Sequence, residues 1–196
     1  MENAGRGAAE ATNVIAPQGD VVILAGKGNN AGDGYVIARH LELLQRNVRI
    51  VSLVDPKSLS GDALINAKVA NVSDIKIIVA NDEAALRQAC DGAAVILDCL
   101  LGTGATGPLR EPFSTAVRVA NECKSTRIAI DVPTGLDCDS GKHGDPTFQA
   151  DHTLTFVAAK RGFANAPRYV GKVQIVAIGV PRKLINRIAK SSSNDI

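Results

Sequence analysis

Aromatic residues are scarce in this chain of 196 residues, which has no Trp, two Tyr and four Phe. Rings cannot build its core, so Ala, Val, Ile and Leu must fill it. Small and β-branched residues of that kind suit buried parallel strands packed under helices. The scarcity also argues against single-stranded nucleic-acid binding, which stacks bases on aromatic side chains. Charge of one sign is lacking too. The 22 basic and 20 acidic residues leave a formal net charge of +2 and imply no polyanionic partner. Arg182, Lys183, Arg187 and Lys190 are a local exception, and beside an apolar helical pattern they read as a solvated face.

Other absences narrow the chemistry. Cys90, Cys99, Cys123 and Cys138 form no C-x-x-C pair, so neither a zinc site nor a disulfide framework is expected, and a reducing cytoplasm fits best. No apolar run reaches the roughly 20 residues that span a bilayer. The opening Met1-Glu2-Asn3-Ala4-Gly5 does not read as a signal peptide. His40, His143 and His152 lack metal-ligand spacing, and there is no G-x-S-x-G nucleophile elbow or convincing Cys–His pair. Covalent catalysis is therefore not expected.

What the chain does contain is alternation. Apolar runs at 20–25, 48–54, 75–80, 93–98 and 127–131 read as strands. Helical patterns lie between them at about 33–44, 60–72, 82–90 and 111–123, and 151–158 and 171–179 read as later strands. Strand–helix–strand repetition predicts an α/β fold with a mostly parallel sheet and right-handed crossovers. One domain is expected over 1–190, ending in a short basic helix, with 191–196 as a flexible tail.

Ligands of such sheets bind beyond the carboxyl ends of the strands. That rule selects three segments. The first is Gly26-Lys27-Gly28-Asn29-Asn30-Ala31-Gly32-Asp33-Gly34. Its third glycine comes one residue late for the dinucleotide fingerprint, and no Lys-Ser or Lys-Thr closes it as a P-loop. Without an acidic residue at the end of the second strand, an ordinary nicotinamide dehydrogenase is disfavoured. Asp55 follows that strand, but Pro56 beside it suggests a turn. The second segment runs from Asp98 to Pro108. Asp98 ends an apolar run, where an unpaired carboxylate is costly, so it caps a turn or faces a cation. The third runs from Asp131 to Gly141. Asp131 also ends a strand and is either a general acid or base, or a partner of the turn made by Pro133 and Gly135.

Together, MENAGRGAAEA, AGKGNNAGDGYVIARHL, LDCLLGTGATGPLREPF, AIDVPTGLDCDSG and ADHTLTFVAAKRGF resemble the NAD(P)H-hydrate epimerase family, the YjeF N-terminal domain. The likeness runs from Met1 to about Gly179. It implies a Rossmann-like three-layer sandwich, often dimeric, that epimerises the R and S forms of NADH or NADPH hydrated at C6. It implies that substrate is bound by Asn29, Asn30, Ala31, Gly32 and Asp33 and by Gly102, Thr103, Gly104, Ala105, Thr106, Gly107 and Pro108. Asp131 matches the family's substrate-contacting aspartate and is the expected acid or base. Asn30, Asp98 and Thr134 match the side-chain ligands of one potassium ion per subunit, and a hard cation with one carboxylate, one amide and one hydroxyl agrees with that chemistry.

Departures are expected to matter. Ala31 stands where glycine is more usual, which adds a methyl group where the backbone meets the ligand. Thr134 replaces the commoner serine and keeps its hydroxyl. Members usually carry a helical segment ahead of the stretch matched here. The Ala4, Ala8, Ala9 and Ala11 face of MENAGRGAAEA is expected to pack either on such a segment or on the sheet. No kinase-like dehydratase domain is fused to this sequence, which implies a separate dehydratase downstream. The alternative, a non-catalytic scaffold or binding protein of the same family, has no need for Asn30, Asp98, Asp131 and a Thr134 hydroxyl together.

Overall fold

A computed structural model describes residues 1–105 and 107–193. Seven strands form one sheet: β1 (Val21–Ala25), β2 (Val48–Ser52), β3 (Lys76–Val79), β4 (Val95–Cys99), β5 (Thr126–Ile130), β6 (His152–Phe156) and β7 (Lys172–Val176). Their order is β3-β2-β1-β4-β5-β6-β7, and every pairing is parallel. The expected mostly parallel sheet is thus parallel throughout. The chain moves outward from β1 to β3 and then returns to place β4 on the other side of β1. This reversal leaves a crevice beyond the carboxyl ends of β1 and β4, where open α/β sheets bind ligands.

Among the described residues seven α-helices accompany the sheet: α1 (Glu2–Ile15), α2 (Asn29–Leu43), α3 (Gly61–Val72), α4 (Glu83–Cys90), α5 (Phe113–Glu122), the single turn α6 (Pro167–Val170) and α7 (Arg182–Ser193). Strand side chains alternate between two cores, as the twofold period of a strand requires. Val21, Ile23, Ile50, Val95 and Leu97 face α1, α2 and α3 with Ala8, Tyr35, Leu41 and Ala67. Val22, Leu24, Val51 and Ile96 face α4 and α5 with Leu86, Ala116 and Val117. Burial of one such Val, Leu or Ile contributes about 1.5–3 kcal/mol, so two mainly aliphatic cores hold the sheet, with Tyr35 in one and Phe148 in the other as fully buried rings.

The small face of α1 has its partner within the chain. Ala4, Gly5, Ala8 and Ala9 are buried, and α1 lies so close to α2 that a Cβ on Gly5 would come within 2.4 Å of Val36 Cβ. Glu2 fixes the crossing, accepting from Arg39 at 2.6 Å and pairing with His40 at 2.7 Å. At the other end of the chain, α7 continues through Ser191 to Ser193, and residues 194–196 lie outside the described residues.

Candidate active site

The turn after β1 is shorter than its glycine content suggests. α2 begins at Asn29 with Gly28 as its N-cap residue, four residues before the predicted start. The reason is packing: Asn30, Ala31 and Gly32 are buried inside the first turns of α2. Gly26 allows the turn to lie directly against the loop after β4, because a Cβ there would sit 2.0 Å from the Leu100 carbonyl oxygen. Ala31, whose methyl group is expected where the backbone meets the ligand, is fully buried in the core cluster on the α1–α3 side of the sheet. Asn29 is exposed and Asp33 half-buried.

Around Asp98 the three segments meet. Its carboxylate is 0% exposed and has no cationic side chain among the described residues. Oδ1 accepts from the Leu100 amide at 3.1 Å and the Thr134 hydroxyl at 2.8 Å, and Oδ2 accepts from the Thr134 amide at 2.7 Å. Burial pushes its pKa up to about 6, and the Thr134 and Leu100 donors oppose the rise. Thr134 Oγ1 also accepts from the Leu101 amide at 3.2 Å. Asn30 Nδ2 donates to the Leu101 carbonyl at 2.8 Å, while Asn30 Oδ1 is buried without a hydrogen-bond partner. Residues 30, 98 and 134, far apart in sequence, are thus tied through Leu101 into one oxygen-rich cluster. A buried carboxylate without a cationic side chain and an orphaned amide oxygen are groups that a cation would satisfy. The set of one carboxylate, one amide oxygen and one hydroxyl fits a weakly charged hard cation such as potassium.

Asp131 sits at the end of β5 with φ of 67°, a left-handed conformation unusual for a residue other than glycine. Val157, just past β6, has φ of 69°, an outlier for a β-branched residue. Asp131 Oδ1 receives Lys160 Nζ at 2.7 Å, the Thr155 hydroxyl at 3.2 Å and the Phe156 amide at 3.3 Å. Lys160 Nζ also donates to the Phe156 carbonyl at 3.1 Å, which fixes it in place. Oδ2 carries no hydrogen bond among the described residues. Sequence reasoning missed Lys160. The available signal was chemical: a carboxylate at the end of a strand requires a partner, and Lys160 lies within one of the resembling stretches.

Asp33, at the start of α2, faces the same region. Burial pushes its pKa up to about 7; the amino terminus offsets part of the rise and the Asp131 charge adds to it. Two carboxylates therefore share one electrostatic neighbourhood.

Gly102 lies against Asn30, within 3.5 Å of it were a Cβ added. Thr103, Gly104, Ala105, Gly107 and Pro108 form an exposed loop. Thr106 lies outside the described residues. A cavity of about 860 Å³ opens between this loop and the segment after β5. Gly102, Ala105, Gly107, Pro108 and Thr134 line it, whereas Asp33, Asp131 and Lys160 do not. Donors converge instead on Asp131 at the end of β5, outside the lining of this space.

The fold and site define a Rossmann-like α/β protein with a strand-end carboxylate held by a lysine, and a buried cluster suited to a monovalent cation, at the carboxyl edge of its sheet. The family described as YjeF-related protein N-terminus matches residues 1–162, and the chain belongs to that family. It is 49% identical over 193 residues to the NAD(P)H-hydrate epimerase of Rhodopirellula baltica, covering 96% of this chain and 78% of that protein. It is 41% identical to the NAD(P)H-hydrate epimerase of Pirellula staleyi, covering 96% of this chain and 85% of that one. Identity is also 41% to the bifunctional NAD(P)H-hydrate repair enzyme Nnr of Archaeoglobus fulgidus, where the match covers 95% of this chain and 38% of the relative. The crystal structure of yeast ynu0 shares the fold with a TM-score of 0.82 at 24% identity, covering 95% of this chain and 82% of that one.

Proposed function

We propose that this chain is an isomerase that interconverts the R and S forms of NADH and NADPH hydrated at C6, with Asp131 as acid and base. The observation that carries the role of Asp131 is its asymmetry. One oxygen is held by Lys160, Thr155 and the Phe156 amide, and the other is open. That arrangement orients a carboxylate for proton transfer without occupying it. The family relationship carries the substrate.

C6 of the hydrate bears a hydroxyl beside the ring nitrogen and is a hemiaminal carbon. Its configuration is lost when the C–O bond breaks. The hydroxyl leaves as water after gaining a proton, and the nitrogen lone pair forms the iminium. Water then adds to the opposite face and gives up a proton. Asp131 Oδ2 supplies and recovers that proton, and a positioned group of this kind contributes about 10²–10⁴-fold in rate. Lys160 keeps the carboxylate in orientation. Asp33, with a pKa near 7, is a second proton-holding group at working pH. The N-terminal turn of α2 and the 102–108 loop bind the nucleotide.

Asn30, Asp98 and Thr134 would hold one potassium ion per subunit. Such an ion would supply the positive charge missing around Asp98, and the three residues would bring to it the segments after β1, β4 and β5. We further propose a cytoplasmic homodimer whose product passes to a separate dehydratase. The bifunctional relatives, of which this chain spans little more than a third, support that pairing of activities. Among the described residues no helix is long and apolar enough to cross a membrane. Incubation with purified R-hydrate tests the reaction: the S form should accumulate with wild type and not with Asp131→Asn.

A further inference from the structure

The cavity that opens before the segment after β5 is larger than a hydrated nicotinamide ring requires, and its charge is one-sided. Its volume of about 860 Å³ lies within the roughly 300–1,000 Å³ of small-molecule sites. Leu109 and Phe113 on one wall and Leu136 on the other give it an apolar lining. Lys27, Arg110 and Lys142 stand at its exposed rim, and none of the three forms an ion pair among the described residues. Asp137 is the one carboxylate among the described lining residues. Its Oδ1 already accepts from the Ser140 amide and the Ser140 hydroxyl, both at 2.7 Å, and from the Asp139 amide at 3.2 Å. Lys142 also acts electrostatically on Asp137, so three cations face one carboxylate, and this excess around a concave, partly apolar wall concentrates positive potential where an anion would enter. Guanidinium and ammonium groups are well matched to phosphate oxygens.

The cavity is continuous with the site already described. Thr134 lines it while donating to Asp98, and Gly102 lines it while lying against Asn30. Pro133, two residues after Asp131, also lines it, so a dinucleotide whose hydrated ring lies at Asp131 can extend its other end into this space. That end is an adenosine, and the two hydrates differ by a single phosphate on the 2′ oxygen of its ribose. Resting on the epimerase reading, we infer that this cavity receives the adenosine end of the substrate and that Arg110 and Lys142, assisted by Lys27, bind the 2′-phosphate and give the enzyme a preference for hydrated NADPH over hydrated NADH. The apolar walls accept the purine, and the rim cations read the phosphate.

The test compares wild type with an Arg110→Ala/Lys142→Ala double variant. Both residues are exposed, so the substitutions remove no buried contact. Calorimetry measures binding of adenosine 2′,5′-bisphosphate and of 5′-AMP, which lacks only the 2′-phosphate. Wild type should bind the bisphosphate about tenfold more tightly than 5′-AMP, a difference equivalent to about 1.4 kcal/mol. The double variant should bind the two within about twofold. In epimerisation, the ratio of kcat/KM for NADPH-hydrate to that for NADH-hydrate should fall about tenfold in the variant. Equal binding of both nucleotides by wild type overturns the inference. So does a variant that loses affinity for both in equal proportion, because its cations then serve a phosphate common to both. If wild type discriminates the nucleotides yet epimerises neither hydrate, the functional reading fails and the cavity assignment stands. If both hydrates are epimerised at a ratio the variant does not alter, the cavity assignment fails and the function stands.

Discussion

Replacing Asp33 by Asn should make stability less sensitive to pH, and by an amount the structure sets. The Asp33 carboxyl takes no side-chain hydrogen bond among the described residues, so the isosteric amide forfeits none. In the folded protein its pKa is raised from 3.8 to about 7, first by burial and then by the Asp131 charge, with the amino terminus offsetting part. Unfolded, it titrates near its ordinary value. Between about pH 4 and 7 the unfolded chain has released this proton and the folded chain retains it, so the folded state binds more protons. The stability contribution then falls as pH rises, and it is flat above about pH 7. At full strength the raised pKa corresponds to about 4 kcal/mol, since one pH unit is about 1.36 kcal/mol. Asp33 is only half-buried, so solvent screening reduces this to about 1–3 kcal/mol. Urea unfolding at pH 5, 6, 7 and 8, at fixed potassium and ionic strength, reads the difference. Asp98, raised to about 6, titrates in both proteins and largely cancels. Asp33→Asn should gain on wild type steadily from pH 5 to 7 and hold that gain at pH 8. A difference between the two proteins that is constant across the range would refute the reasoning.

Three further outcomes follow from other contacts. Asp131→Asn should lower kcat by about 10²–10⁴-fold, and Lys160→Met by at least about tenfold; because the two act as one unit, the double variant should be no worse than Asp131→Asn, and multiplicative losses in steady-state kinetics would show that they act separately. Potassium should raise the Tm of wild type more than sodium or choline does, and Asp98→Ala should abolish the difference; equal melting shifts in all three salts would remove the case for a specific ion. Gly5→Ala should lower Tm despite alanine's better helix propensity, because a methyl group 2.4 Å from Val36 Cβ must displace α1 from α2; overpacking of this kind costs about 1–3 kcal/mol, and Val36→Ala should restore part of it.

The layered fold was legible because burial leaves a plain trace in composition. β1 and β4 are buried along their whole length, so they read as unbroken apolar runs bounded by Gly26 and by Asp98. The same trace located all three loops of the site. Two features were not legible. Glycines at 26, 28, 32 and 34 signal a loop, yet α2 begins at Asn29 because Asn30 to Gly32 are enclosed by neighbouring elements, which local propensity cannot register. The Asp131–Lys160 pair joins residues on either side of β6, next to positive φ at Asp131 and Val157, and no spacing rule links a strand end to a residue on the far side of β6. The ion-binding role expected for Asn30, Asp98 and Thr134 comes only from family resemblance. The structure adds its own reason for them, a buried carboxylate without a cationic side chain and an amide oxygen without a donor.

The central claim is that this site removes the stereochemical memory of C6 through Asp131. The most direct measurement follows both epimers by chiral separation, starting once from pure R-hydrate and once from pure S-hydrate, with wild type, Asp131→Asn and buffer alone. The account predicts that wild type drives both reactions to one common R:S ratio well ahead of buffer, and that Asp131→Asn slows the approach at least about a hundredfold without changing the endpoint. Wild type that leaves each epimer at its buffer rate, or Asp131→Asn that matches wild type, would contradict it.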